Sequence, residues 1–202
     1  MVSQKTLQEL RGLNLDRNFE KCMELILDFE GDKLCKDSGG WTKYGISQRA
    51  LMPGAAKKDI ENLTLPYAVT IYQGRYWKYG SCDSIGYPLS LVHFDSNINH
   101  GKKQSAKFLQ RALNALGGEL IDDGVIGAKT IAEYKRQDQY DNAQEALVGE
   151  YLLQRLEFFR YLAYDKKYCV VNDEKFFFVD SLNGWMVRIR KLRDFLKNNR
   201  TI

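Results

Sequence analysis

The residues best suited to chemistry lie in one stretch, Glu30 to Ser47, reading E-G-D-K-L-C-K-D-S-G-G-W-T-K-Y-G-I-S. Glu30 closes an apolar stripe and a glycine follows it at once. The next residues bring two more carboxylates, Asp32 and Asp37, a Gly-Gly pair, Thr42 and Tyr44. A carboxyl at the end of a buried stripe is partly withdrawn from water, and desolvation disfavours its charged form. A general acid working near neutral pH needs that environment. Most glutamates face solvent, but few stand on such a stripe immediately before a glycine.

The elements that must position this stretch are helical. Phe19, Met23, Ile26 and Leu27 recur at spacings of three and four, so an amphipathic helix is expected to begin at an N-cap, Asp16 or Asn18, and to stop at Gly31. Asp37-Ser38-Gly39-Gly40 is turn chemistry. Trp41 to Tyr44 suits one strand of a small hairpin, and Ser47 suits the N-cap of the next helix. Thr64 is expected to cap a helix with Pro66 in its first turn. Pro88 opens a helix to about Asn99, Gly101 stops it, and Lys102 to Leu116 continues as another. A tight loop, Asp122 to Thr130, precedes a helix from about Ala128; it lacks the alternating ligands of an EF-hand calcium loop. Two long helical patterns, about 140–164 and 175–197, finish the chain, with a loop or short extended piece near Cys169 between them. Residues 1–17 read as a loosely attached arm.

The totals bound the class. The chain has 202 residues, 44% of them hydrophobic and 28% charged, as in an ordinary globular protein. A net charge of +4 suits an anionic partner but falls far short of a nucleic-acid footprint. No run of about 18 apolar residues spans a membrane, and no apolar core of signal-peptide length stands at the N-terminus. The four cysteines show no C-x-x-C pair and read as free thiols. Cys82, His93 and His100 fit no zinc spacing, so neither metal nor cofactor is expected. His100 reads as a solvated surface residue.

Ile26-Leu27-Asp28-Phe29-Glu30-Gly31, then Asp37-Ser38-Gly39-Gly40 and Thr42-Lys43-Tyr44-Gly45-Ile46-Ser47, resemble glycoside hydrolase family 108. Ile71-Tyr72 with Tyr76-Trp77, and Phe94-Asp95 with Asn99 and Gly101, resemble two further helices of that family. Phe108-Leu109-Gln110 and Asp123-Gly124-Val125-Ile126-Gly127 through Thr130 resemble the predicted peptidoglycan-binding domain usually fused to it. The chain departs from the family where Asp32 and Lys33 replace a glycine and a tyrosine, and where Ser38 replaces a proline.

The resemblance implies a mainly α, lysozyme-like fold of two packed helical lobes, with at most one small β-hairpin beside the catalytic helix. It implies an N-terminal arm over 1–17, a hydrolase domain over 18–101 and a wall-binding domain over 102–202. The implied activity is that of an N-acetylmuramidase, as in phage endolysins and proteins labelled secretion activators. The Glu30 position is the family's catalytic residue. Glycoside hydrolysis needs an acid and a second group that activates water or stabilises the transition state. Asp37 and Thr42 are the candidates for that second role, with Asp32 behind them. Asp37 equally suits an Asx-turn, and Thr42 a plain strand position. Tyr44, Asp95 and Asn99 are candidate substrate contacts, although Asn99 before Gly101 equally suits a helix terminator.

A monomer acting on bacterial peptidoglycan is therefore expected, with no nucleic-acid partner and no membrane insertion. It is expected to be made in the cytoplasm and to reach the wall by holin-type or other non-classical release. Two other classes stay open: a lytic transglycosylase using Glu30 alone, and a non-catalytic wall-binding or secretion-accessory protein.

Overall fold

The computed structural model describes residues 2–37, 40–171 and 174–198. The chain is mainly helical and divides into two compact units, residues 1–83 and 84–202. Among the described residues, no helix is long and apolar enough to cross a membrane.

The first unit is built on helix α2, Arg17–Glu30. Asp16 is its N-cap, its carboxylate accepting from the amides of Asn18 and Phe19, both at 3.0 Å. The stripe Phe19, Met23, Ile26 and Leu27 is fully buried. Each such side chain removed from water stabilises the fold by about 1.5–3 kcal/mol. Three short strands follow, β1 (Cys35–Asp37), β2 (Gly40–Lys43) and β3 (Ile46–Ser47), in an antiparallel sheet of order β1-β2-β3. Helices α3 (Gln48–Leu51), α4 (Lys57–Glu61) and α5 (Leu65–Tyr72) complete the unit, and a π-helical turn, Gln73–Lys78, extends α5. Ser47 caps α3 through its hydroxyl. Thr64 stands at the N-cap of α5 with proline in the first turn, although its side chain makes no capping bond.

The N-terminal residues are not a loose arm. Gln4–Arg11 form helix α1, with Ser3 as N-cap and Leu10 fully buried. The anchor is Asp32, whose Oδ2 accepts from the Ser3 amide at 2.9 Å and from the Thr6 hydroxyl at 2.8 Å. The Val2 amide donates to Asp28 at 3.2 Å, and Arg11 pairs with Glu24 at 2.6 Å. Local pattern could not supply this. Three leucines, Leu7, Leu10 and Leu13, are too few for a long stripe, and the partners lie up to 29 positions away.

The second unit contains α6 (Leu89–Ala115), α7 (Ala128–Asp138), α8 (Ala143–Arg160) and α9 (Val179–Asn198). Gly101, at φ 75°, breaks α6 into two helical stretches where the sequence expects a stop. Helices α6 and α8 pack along a buried seam. There the Tyr151 hydroxyl donates to the Ser105 carbonyl at 3.2 Å and stands 2.9 Å from His93 Nδ1. The loop before α7 is organised by buried Gln110, which donates to Asp123 at 2.8 Å and accepts from the Gly124 amide at 2.9 Å.

The end of the chain differs from its sequence pattern. Tyr168–Val171 (β4) and Glu174–Phe177 (β5) form a second antiparallel hairpin, so the last helix begins at Val179 and not near Lys175. A run of Phe176, Phe177 and Phe178 suits a strand as well as a helix, and apolar runs this short do not discriminate. Residue 172, within the piece expected to be extended or looped, lies outside the described residues.

Hydrogen bonding from Ser3 foremost, through hydroxyl and amide, and from Thr6, holds Asp32 well below the usual carboxylate range, at about 2. A depressed folded-state pKa contributes stability that is present above the ordinary value of 3.8 and is lost as pH falls through about 2. Asp32→Asn is expected to destabilise the protein by about 1–2 kcal/mol at neutral pH. Urea titrations should show that gap to wild type closing as pH falls from 3.8 towards 2.

Candidate active site

In the first unit, Glu30 is the last residue of α2, half-buried, and Gly31 ends the helix at φ 77° with its amide on the Leu27 carbonyl at 2.8 Å. What sits against the glutamate is the turn between β2 and β3. Thr42 pairs with Ser47 and Lys43 with Ile46, which leaves a two-residue loop, Tyr44-Gly45. Both loop residues have positive φ, 52° and 74°. The commonest tight hairpin turn requires that geometry, because its twist matches the strands it joins.

Gly45 is held there by space as well as by φ. A methyl group on its Cα would lie 2.7 Å from Glu30 Cβ and 2.8 Å from Cγ, and closer still to the Tyr72 hydroxyl. The turn therefore packs backbone directly on the stem of the glutamate. The same Tyr72 hydroxyl donates to the Tyr44 carbonyl at 3.0 Å. Tyr72 is almost fully buried in α5, so one rigid side chain clamps the turn from below. Left-handed backbone at a bulky residue costs roughly 1–2 kcal/mol. Such strain persists where the surroundings over-determine it, commonly at functional sites.

The sheet is tied down at other points. The Trp41 amide donates to Gln48 Oε1 at 2.9 Å, and Gln48 Nε2 donates to the Ala55 carbonyl at 2.7 Å. Lys43 reaches the end of α4 and donates to the carbonyls of Glu61 (2.9 Å) and Leu63 (2.7 Å), where a cation meets the negative end of the helix dipole. Arg75 does the same for the carbonyls of Ala50 and Leu51 at the end of α3.

This frame carries three of the other expected residues. Thr42 is central in β2, and its Oγ1 is buried with no hydrogen-bond partner among the described residues. A buried hydroxyl without a partner is uncommon in folded proteins and marks the position as one with unused hydrogen-bonding capacity. Tyr44 is half-buried beneath the Lys43 ammonium, 5.3 Å from its ring centroid. Burial, and after it the carboxylates of Glu9 and Asp32, push its phenol pKa up, so it remains a neutral donor. Asp37 ends β1 opposite Gly40. Its side chain, and the turn residues Ser38 and Gly39, lie outside the described residues. Asp32 is engaged by Ser3 and Thr6, as an anchor for α1.

Asp95 and Asn99 belong to the second unit, and for Asp95 burial leaves a structural role in place of the expected substrate contact. Asp95 is fully buried; Arg188 Nε donates to its Oδ1 at 2.8 Å, and Arg155 Nη1 lies 2.8 Å from its Oδ2. Asn99 turns back on the helix and donates to the Asp95 carbonyl at 2.7 Å and to its Oδ1 at 3.4 Å, as a residue ending a helical stretch before Gly101. His100 is not solvated. It lies among the rings of Phe108, Phe158 and Phe159, with centroids 5.1–5.8 Å away. Burial first, then the charge of Arg155, lowers its pKa to about 3. Local sequence gave no sign of Tyr72, Gln48 or Gln110 as framework residues, because a polar tip on an apolar or exposed-looking position reveals nothing about a distant partner.

All four cysteines are free thiols. Among the described residues, no group of three or more His, Cys, Asp or Glu side chains is disposed to hold a metal.

Comparison with known proteins identifies two matches along the chain. Residues 23–101 match the family model of glycosyl hydrolase 108, and residues 104–190 match that of the predicted peptidoglycan domain. Among solved structures the chain is similar to SagA of Brucella abortus, at 25% sequence identity, with 91% of this chain and 96% of that chain covered and a TM-score of 0.70. A comparison with curated proteins gives no match. The mainly α architecture with a three-stranded sheet fits the lysozyme-like class.

Gly45→Ala is expected to cost about 2–4 kcal/mol, combining left-handed strain with overlap against Glu30 and Tyr72. Gly54, also at positive φ (78°) but with nothing within 4 Å of the added carbon, isolates the strain alone. Gly54→Ala should cost only about 1 kcal/mol. Thermal or urea unfolding of the two variants measures the difference.

Proposed function

We propose that the chain is a peptidoglycan hydrolase, a lysozyme-type N-acetylmuramidase with Glu30 as general acid; the reading is supported by the match of residues 23–101 to the glycosyl hydrolase 108 model and of residues 104–190 to that of the predicted peptidoglycan domain. The bond cut is that between N-acetylmuramic acid and N-acetylglucosamine. The observation that supports the assignment of Glu30 is the contact of Gly45 with its stem, which packs the Cβ and Cγ of this one glutamate against a clamped turn of positive φ. Positioning of this kind gives proton transfer much of its catalytic value.

In this mechanism Glu30 gives its proton to the glycosidic oxygen as the C–O bond breaks, and the positive charge develops on the sugar ring. A water held by the Thr42 hydroxyl attacks the opposite face. Asp37, at the end of β1 in the same sheet, takes the water's proton and so completes an inverting displacement. Proton return from Asp37 to Glu30 through solvent resets the site. Tyr44 donates to, or stacks on, a sugar of the bound strand. In chain terms the hydrolase domain runs over 18–101 and the wall-binding domain over 102–202. The protein acts as a monomer at the wall, in the manner of an endolysin, after holin-type or other non-classical release.

Glu30→Gln is expected to slow clearing of purified cell walls by about 10²–10⁴-fold without unfolding the chain. Thr42→Ala should slow it by roughly tenfold or more, with the fold intact. Mass spectrometry of the products should show reducing muramic acid ends. Anhydromuramic acid as the main product would instead indicate a transglycosylase, which needs Glu30 but no attacking water. Clearing by Glu30→Gln at the wild-type rate would remove the acid from Glu30 altogether.

A further inference from the structure

Within the second unit, side chains of α6, α8 and α9 enclose a cavity of about 430 Å³. That is within the range of small-molecule sites, roughly 300–1,000 Å³. Phe158, Phe159 and Trp185 supply aromatic wall, and the rings of Phe159 and Trp185 stack at 4.7 Å with 16° between their planes. Arg155, Arg188 and His100 supply the polar part of the lining.

Two of these groups, Arg155 and His100, are under-partnered among the described residues. Arg155 is fully buried, yet its Nε has no hydrogen-bond partner among the described residues. Its Nη1 lies 2.8 Å from Asp95 Oδ2 without hydrogen-bond alignment. Asp95 also receives Arg188 at 2.8 Å, so one carboxylate serves two guanidiniums. His100 Nε2 is buried and also without a partner among the described residues. A buried N–H left without an acceptor costs about 1–3 kcal/mol, and more when it belongs to a charged group. Folding tolerates such a group where binding satisfies it.

The chemistry that satisfies it is narrow. A guanidinium fork matches the two oxygens of a carboxylate. Three aromatic rings beside it disfavour a strongly hydrated polyanion and favour an apolar body. Because His100 stays neutral down to about pH 3, it adds no positive charge and offers a neutral nitrogen. We propose that this cavity is a binding site for a small organic carboxylate, with its carboxyl on Arg155 beside His100 Nε2 and its apolar body against Phe158, Phe159 and Trp185. This does not depend on the role of Glu30. The carboxylate has two possible sources, a free small acid or the C-terminal end of a short peptide, and the site reads the group they share.

The test is an NMR titration of the full chain. The Trp185 indole and His100 imidazole signals are assigned with Trp185→Phe and His100→Gln. Isobutyrate represents a free acid, N-acetylalanine a peptide terminus, and isobutyramide a neutral isostere. At least one of the two acids is expected to shift both signals saturably, with a Kd on the order of 1 mM for molecules this small. Isobutyrate alone marks a free acid as the ligand; N-acetylalanine alone, or by a wide margin, marks a peptide end. Isobutyramide should bind at least about tenfold more weakly than the acid. Arg155→Met should reduce acid binding by about tenfold or more. Removing a buried cation from Asp95 could also unfold the unit, so Arg155→Lys, which keeps the charge but not the fork, provides the second measurement and should weaken binding while the His93 signals stay in place. The proposal fails if neither acid moves the two signals in the wild-type protein, or if the amide binds as well as the acid.

Discussion

The contact on which the first unit's candidate site depends is backbone against side chain: Gly45 on the stem of Glu30. It fixes the turn residue's identity twice, through a positive φ and through the absence of space for a Cβ. Much of the surrounding structure serves it. Tyr72 brings its hydroxyl to the Tyr44 carbonyl, Gln48 holds the start of β2, and Lys43 ties the end of β2 to α4. A glutamate side chain has three rotatable bonds, and packing its Cβ and Cγ against main chain restricts those nearest the backbone.

A second principle runs through both units. A carboxylate's role depends on which donors reach it, not on its proximity in sequence to a catalytic group. Asp32 stands two residues from Glu30 and departs from the family pattern there. Ser3 and Thr6 occupy it, and it holds α1 onto α2 in place of the flexibility that a glycine would give. Asp95 looked equally suited to a cleft, four residues from Asn99. Two arginines, 60 and 93 positions away along the chain, make it the buried centre of the second unit. These ion pairs are expensive to assemble out of water, and removal of one partner is strongly destabilising. Their value lies in fixing how α6, α8 and α9 meet.

The same ion-pair centre explains why the second unit has polar lining where a helical bundle would ordinarily be apolar. Helices can close around a fully hydrophobic core without it. Placing Arg155 there commits the fold to a buried cation whose N–H groups are incompletely used, beside a neutral histidine among phenylalanines. Packing alone does not require this arrangement, and recognition of an anion would give it a purpose.

The amino-acid sequence by itself determined the helical class, the start of α2 to within two residues at Asp16 or Asn18, the placing of Glu30 on its buried stripe before Gly31, and the break at Gly101. These are local matters: periodicity, caps and backbone sterics act over a few residues and leave their marks in order along the chain. Trp41 to Tyr44 was legible as a strand and Ser47 as a cap for the same reason, while the turn at Tyr44-Gly45 that pairs β2 with β3 emerged only in the structure. Only the tertiary structure decided that residues 4–11 form a docked helix and that 174–177 pair as a strand. It also decided that Asp32 and Asp95 are consumed by structural partners and that His100 sits among aromatic rings. Each of these outcomes depends on a donor or a surface brought from far along the chain. A residue's type records what it can bond, and only the folded chain settles what comes within reach.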